Sequence, residues 1–277
     1  MKMPTPEQSH LPFQPSRENG FVSHLMSLIR LKNQTGTLLL ALPSLWALVL
    51  ASDGAPSPWL LLIFLFGAFI MRSAGVIMND LADQSFDRQV KRTKNRPLAS
   101  GVLRPVHALI CLVSFLSIAL FLLFFLNSLT RWLSPVALAL AAFYPFTKRF
   151  FHLPQFFLGL AFGWGTIMAW SATQNQLTLS AWLLFTATTF WALAYDTIYA
   201  LQDRDDDIRV GIRSSAILFG SHVWIAVGIF EILMIGVLAV TGWLEHLNLV
   251  FYGVLVGLAG FFSQQVWHFR EKINPAE

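Results

Sequence analysis

Residues 58–87 read PWLLLIFLFGAFIMRSAGVIMNDLADQSFD. From Pro58 to about Asn79 the run is apolar and long enough to cross a hydrocarbon core of about 30 Å as a helix. It passes directly into Asn79-Asp80-Leu81-Ala82-Asp83-Gln84-Ser85-Phe86-Asp87. In lipid, backbone polar groups are satisfied only by helices or a closed barrel, and this run is far too long and continuous for a barrel strand. The stretch therefore reads as a membrane-spanning helix that carries a set of acids to one membrane face.

The same apolar pattern recurs along the 277 residues. Eight segments are expected to span, at roughly 34–52, 58–79, 105–127, 132–147, 153–173, 179–201, 215–241 and 246–267. The fourth is short and contains Pro135 and Pro145, which blur its ends. Charged residues make up 12% of the chain, against about 25% in a soluble domain. The expected fold is an all-α, polytopic integral membrane bundle of about eight helices. Residues 1–24 are polar, carry Pro4, Pro6, Pro12 and Pro15, and show no cleavable signal pattern. They read as a disordered cytoplasmic tail ahead of a single transmembrane domain, 25–277.

Basic residues set the orientation. The Lys and Arg of the loops gather in the N-terminal tail, 80–104, 148–152, 202–214 and the C-terminal tail, and only Arg131 lies in a loop on the other side. The positive-inside rule then puts both termini and these loops in the cytoplasm. The formal charge of +4 accordingly reports topology and anionic headgroups rather than nucleic acid. Cys111, the one cysteine, excludes an intrachain disulfide and a cysteine zinc site, and reads as a packed residue.

Seven of the 15 acidic residues sit in two short stretches on that face, the one quoted above and Asp203-Arg204-Asp205-Asp206-Asp207. Packing gives no reason to mass like charges, which repel at helical spacing. At about 100° per residue, Asp80, Asp83 and Asp87 share roughly 60° of arc, with Asn79 at its edge. Asp203 and Asp207 are spaced i, i+4, and Asp196 lies one to two turns deeper, where an ionisable group is a functional candidate. Hard oxygen donors of this kind suit Mg²⁺ shared with phosphate oxygens. The basic run Lys91-Arg92-Thr93-Lys94-Asn95-Arg96 would neutralise such an anion. Lys148 and Arg149, at another helix end, are expected to point into the same cavity, unless they are topogenic charges only. Glu231, inside the seventh segment, is expected to bond a neighbouring helix.

Taken together, these motifs resemble the UbiA superfamily of intramembrane prenyltransferases, and within it the 4-hydroxybenzoate polyprenyltransferase branch of ubiquinone biosynthesis. Asn79, Asp80, Asp83 and Asp87 match its NDxxDxxxD motif, and Val90 to Leu98 its basic continuation. Tyr144-Pro145-Phe146-Thr147-Lys148-Arg149 and Ala194-Tyr195-Asp196-Thr197-Ile198-Tyr199 are similar to stretches of that branch. The resemblance implies a helical bundle around a central cavity open to the cytoplasm, in a bacterial inner membrane. It also implies Mg²⁺-dependent transfer of a polyprenyl group from polyprenyl diphosphate to a ring carbon of 4-hydroxybenzoate. Asp80, Asp83, Asp87, Asp203 and Asp207 would hold the metal. Asn79, Lys91, Arg92, Arg96, Lys148, Tyr195 and Arg30 would line the substrates, Arg149 would take the acceptor carboxylate, and Asp196 would orient the phenol.

The chain departs from the family in two ways. Family members usually read Arg-x-Asp-(Lys/Arg)-Pro-x-Gly near the first span, where this chain has Arg30-Leu31-Lys32-Asn33-Gln34-Thr35-Gly36. They also commonly carry nine spans, and the sequence shows no apolar run for a ninth. Three other readings stay open: a different aromatic or quinone precursor as acceptor, a catalytically silent relative, and a cation transporter. A transporter would place its ionisable groups near mid-membrane rather than at one face.

Overall fold

The computed structural model describes residues 20–273, and those residues are helical with short connections. The helices are α1 (Phe21–Leu28), α2 (Thr35–Ala51), α3 (Pro58–Ala82), α4 (Gln84–Asp87), α5 (Pro105–Leu123), α6 (Ser128–Thr147), α7 (Pro154–Gln174), α8 (Leu179–Ala200), α9 (Arg204–Val210), α10 (Ser215–Phe219), α11 (Val223–Leu244) and α12 (Leu249–Ile273). Most of the expected tail, 1–19, lies outside the described residues, and residues 21–24 open α1 instead of continuing it.

All eight expected segments form helices over nearly the expected bounds. Five are long and apolar enough by themselves to cross a membrane: α3, α5, α7, α10 through α11, and α12. The chain is thus an integral membrane protein. α2 is apolar but shorter, at 17 residues. Helix starts follow local chemistry: Pro58, Pro105 and Pro154 each open a helix where the missing N–H costs nothing. Asn127 caps α6 by accepting the Thr130 N–H at 2.9 Å. The seventh segment differs from expectation. It is broken at Gly220, whose positive φ of 54° ends α10 and leads through one 3-10 turn into α11.

α7 is central, packed on α2, α6 and α8, while α8 also packs on α11, α3 on α2 and α5, and α12 on α11. Small residues let the central pair approach closely. A Cβ on Gly163 of α7 would lie 2.9 Å from the Phe185 carbonyl oxygen of α8. Ala47, Leu48 and Ala51 of α2 join Ile167, Ala169 and Trp170 of α7 and Ala181 and Leu184 of α8 in the main core. Polar bonds join α6 to α7, as is common in membrane bundles: Thr130 and Ser171 share a hydrogen bond of 2.8 Å, and Trp164 Nε1 donates to the Leu133 carbonyl at 3.0 Å. α5 and α12 bury little of their apolar surface, as lipid-facing helices do.

A candidate active site between the two acidic clusters

α3 delivers its acids by running three residues past the expected end at 79. Asn79 and Asp80 occupy its last turn, Asp83 is its C-cap, and α4 follows at once. The i to i+4 ladder continues across the junction, with Asp83 N–H on Asn79 O at 2.9 Å and Asp87 N–H on Asp83 O at 2.8 Å. Of the three acids expected to share one arc, Asp83 and Asp87 reach the cavity between the clusters and Asp80 does not. Opposite Asp83 and Asp87, α8 presents Asp196, and the α8–α9 junction presents Asp203 and Asp207.

These elements enclose one cavity of about 220 Å³. Asn79, Asp83, Asp87, Arg92, Arg96, Lys148, Asp196, Asp203 and Asp207 all line it, so residues more than 100 positions apart meet. Four of the acids are paired with cations. Arg96 Nη1 donates to Asp87 Oδ2 at 2.8 Å and to Asp80 Oδ1 at 3.1 Å. Lys148 pairs with Asp83, and Arg92 Nε donates to Asp203 Oδ1 at 2.8 Å. The pair with Asp203 raises the Arg92 guanidinium above its ordinary value. Burial, reinforced by Asp203, pushes the Asp207 carboxyl up to about 6. Asp83 Oδ1 is buried without a hydrogen-bond partner. Among the described residues, no three acidic, His or Cys side chains converge closely enough to hold one ion in this arrangement.

Other expected residues lie elsewhere. Asp80 sits behind the cavity, fully buried, gripped by Arg30 Nη2 at 2.9 and 3.0 Å. Arg30 adopts a left-handed φ of 56° at the end of α1, a conformation uncommon for a side-chain-bearing residue. The unusual run beside it explains how that turn is held. Gln34 Nε2 donates to the Arg30 and Leu31 carbonyls, Gln34 Oε1 accepts from the Thr37 hydroxyl, and Asn33 Oδ1 accepts the Thr35 N–H. None of residues 30–36 lines the cavity.

Arg149 does not point into the cavity, contrary to expectation. Its Nη2 donates to the Ala82 carbonyl at 2.7 Å and its guanidinium lies over the Phe86 and Phe146 rings, so it caps the C-terminus of α3. Lys91 is exposed and contributes its backbone N–H to Asp206 at 3.3 Å. Tyr195 packs on Trp191 and Phe162, with its buried hydroxyl unpartnered.

One residue that the reading of the sequence passed over is Arg72. It is the single charged residue between Pro58 and Asn79, which was the available signal. It lies seven residues before Asn79, about 10 Å deeper along the axis. It stands in the field of Arg30 and Asp80 and beside Tyr144 and Tyr195, with no hydrogen bond or ion pair among the described residues. Gly36 makes room for it: a Cβ there would fall 2.2 Å from Arg72 Nε.

Comparison with known proteins places this architecture. The sequence profile of the UbiA prenyltransferase family matches residues 40–277. The chain is 49% identical over 249 residues to the 4-hydroxybenzoate octaprenyltransferase of Tolumonas auensis, covering 90% of this chain and 87% of the relative. It is 47% identical to the protein of the same name from Citrobacter koseri, covering 86% and 83%. Among solved structures, a UbiA homolog from Aeropyrum pernix K1 superposes with a TM-score of 0.73 at 24% identity, covering 85% of this chain and 91% of the other. A UbiA homolog from Archaeoglobus fulgidus, bound to GPP and Mg²⁺, superposes with a TM-score of 0.69 at 16% identity, covering 88% and 86%. These two likenesses establish the shared fold.

Proposed function

The chain belongs to the UbiA prenyltransferase family, and we propose from that premise that it transfers a polyprenyl group from polyprenyl diphosphate to a ring carbon of 4-hydroxybenzoate, a membrane step of ubiquinone biosynthesis. The observation that carries this reading is the cavity where two acidic clusters meet Arg92, Arg96, Lys148 and Arg213 at one end of an apolar bundle. The relatives that cover most of the chain bear the matching name. The orientation we infer from the loop charges puts the cavity on the cytoplasmic side, in a bacterial inner membrane.

The residues present fit a divalent metal. Asp83 Oδ1 is a buried hard oxygen with no partner, and Asp87, Asp203 and Asp207 share its cavity. These four, with Asp80 behind them, would hold Mg²⁺, which when bound neutralises the leaving diphosphate. The chain's own groups do the rest. Arg92, Arg96 and Lys148, now paired with carboxylates, transfer to diphosphate oxygens as charge-assisted donors. The allylic C–O bond breaks with its electron pair going to the diphosphate. The resulting cation is stabilised by the fixed carboxylates, including Asp196.

The acceptor carboxylate goes to Arg72, which stands beside the cavity-wall residue Tyr144 and makes no hydrogen bond or ion pair among the described residues, rather than to Arg149, which is turned to the Ala82 carbonyl and outside the cavity wall. Asp196 accepts the phenol hydrogen bond, which raises electron density at the attacking carbon. Loss of the ring proton to the departing diphosphate restores aromaticity. Asn79 shapes the space around the ring from the cavity wall.

Membranes containing the protein, given radiolabelled 4-hydroxybenzoate, geranyl diphosphate and Mg²⁺, should form a lipid-soluble labelled product. Absence of product, with the protein shown to be folded and inserted, would sink the reading.

A further inference from the structure

A second cavity, of about 320 Å³, lies between α11 and α12, well away from the acidic clusters. Gly228, Ala259 and Ser263 leave the room for it, and its walls are otherwise apolar or aromatic. Two charged residues interrupt them. Glu231 is only 5% exposed, faces this groove, and has no hydrogen-bond or ion-pair partner among the described residues. The bond to a neighbouring helix expected for it is absent. Arg270 closes the end of the groove nearer the first residues of α11, its guanidinium over the rings of Trp224 at 5.2 Å and Trp267 at 5.5 Å. A guanidinium held against aromatic faces keeps its edge N–H groups for an anion.

The spacing of the two charges selects a ligand. Trp224, and with it the Arg270 guanidinium, lies seven residues from Glu231, about 10 Å along the axis. An occupant needs an anionic group at one end, a hydrogen-bond donor one ring-length deeper, and an apolar tail for the rest of the groove. Carboxylate and para-hydroxyl oxygens of a benzoate, with a hydrogen bond at each end, bridge about that distance. We propose that this groove binds the prenylated 4-hydroxybenzoate product, carboxylate on Arg270 and phenol O–H donated to Glu231, as a holding site beside the bilayer after release. This rests on the reaction proposed above. Neither substrate fits as well. A prenyl diphosphate brings several negative charges and no donor toward Glu231, and free 4-hydroxybenzoate has no tail for the apolar walls. A phospholipid meets Arg270 but offers no donor at the depth of Glu231.

The test uses the full chain in phosphatidylcholine nanodiscs with 3-geranyl-4-hydroxybenzoate carrying a diazirine in its tail. Photocrosslinks should map to α11 and α12 around Ile232, Ile235 and Phe262. Arg270→Gln and Glu231→Leu should each weaken labelling roughly tenfold, as expected for one charge-assisted contact. The O-methyl ether of the probe should label the native chain as weakly as the free phenol labels Glu231→Leu. Unlabelled product should compete, and geranyl diphosphate or phosphatidylglycerol should not. Crosslinks confined to the acidic cavity, equal competition by phosphatidylglycerol, or variants that label like the native chain would each overturn the groove. Initial rates of prenyl transfer in the same nanodiscs separate the two proposals. Transfer without groove labelling removes the groove alone, and groove labelling without transfer removes the reaction and leaves a site for an acid-headed phenolic lipid.

Discussion

Arg72 and Arg149 show how little a charged residue's place in the sequence says about its partner. Arg149 sits beside a motif and at a helix end, yet it turns to the Ala82 carbonyl and the Phe86 and Phe146 rings. Arg72 lies deep in an apolar helix and pairs with no carboxylate among the described residues. Replacing Arg72 with Gln should raise the KM for 4-hydroxybenzoate at least about tenfold, the effect expected of losing a charged hydrogen bond. With an acceptor that lacks a carboxylate the same variant should match the native chain, and steady-state kinetics with both acceptors would decide. Equal losses for the two would return Arg72 to a structural role. At the carboxylates, Asp83→Asn or Asp203→Asn should lower Mg²⁺-dependent transfer by on the order of a hundredfold or more, the scale of losing preorganised electrostatic stabilisation. The thermal midpoint should move little for Asp203→Asn, whose pair with Arg92 is partly exposed, and fall for Asp83→Asn, which leaves Lys148 against a buried neutral amide. Near-native rates in both would refute their role at the metal.

At the scale of elements, two junctions place the site. The first is the end of α3, where Arg149 covers the terminal carbonyl and Asp83 turns the chain into α4. Arg149→Ala should lose about 1 kcal/mol of stability, the size of a favourable helix-end interaction, while leaving the KM for the acceptor unchanged. A thermal scan and a kinetic titration on one preparation check both halves. The second is the close approach of α7 and α8. Gly163→Val would set a branched side chain against the Phe185 carbonyl, and overpacking of this kind costs about 1–3 kcal/mol. α8 also carries Asp196, so the variant should lose activity as well as stability. A variant as active and stable as the native chain would show that the helices can part without cost.

Considered as a whole molecule, the site is a charge-balanced set in which carboxylates and cations occupy one another. Mg²⁺ arriving alone must displace Lys148, Arg92 or Arg96, and diphosphate arriving alone must displace a carboxylate. Together they exchange partners without leaving a buried charge bare, which avoids the usual penalty. Calorimetry should therefore find Mg²⁺ binding tighter in the presence of inorganic diphosphate, with diphosphate tightened by the same factor in the presence of Mg²⁺, as linkage requires. Independent binding of the two would mean that the ion pairs do not hold the site.

Much of this was legible beforehand because hydrocarbon imposes a local rule: every backbone polar group must be satisfied within its own helix, so apolar length alone marks the segments. Periodicity of about 100° likewise put Asp83 and Asp87 on one side before any packing was known. Which charges meet is another matter, since it depends on how helices far apart in the chain lean together. Tertiary structure decided that Arg30 takes Asp80, that Arg149 leaves the cavity, and that Arg72 stands unpaired over Gly36. The helices are written residue by residue, whereas an ion pair is chosen by distances of a few ångströms that only the assembled bundle sets.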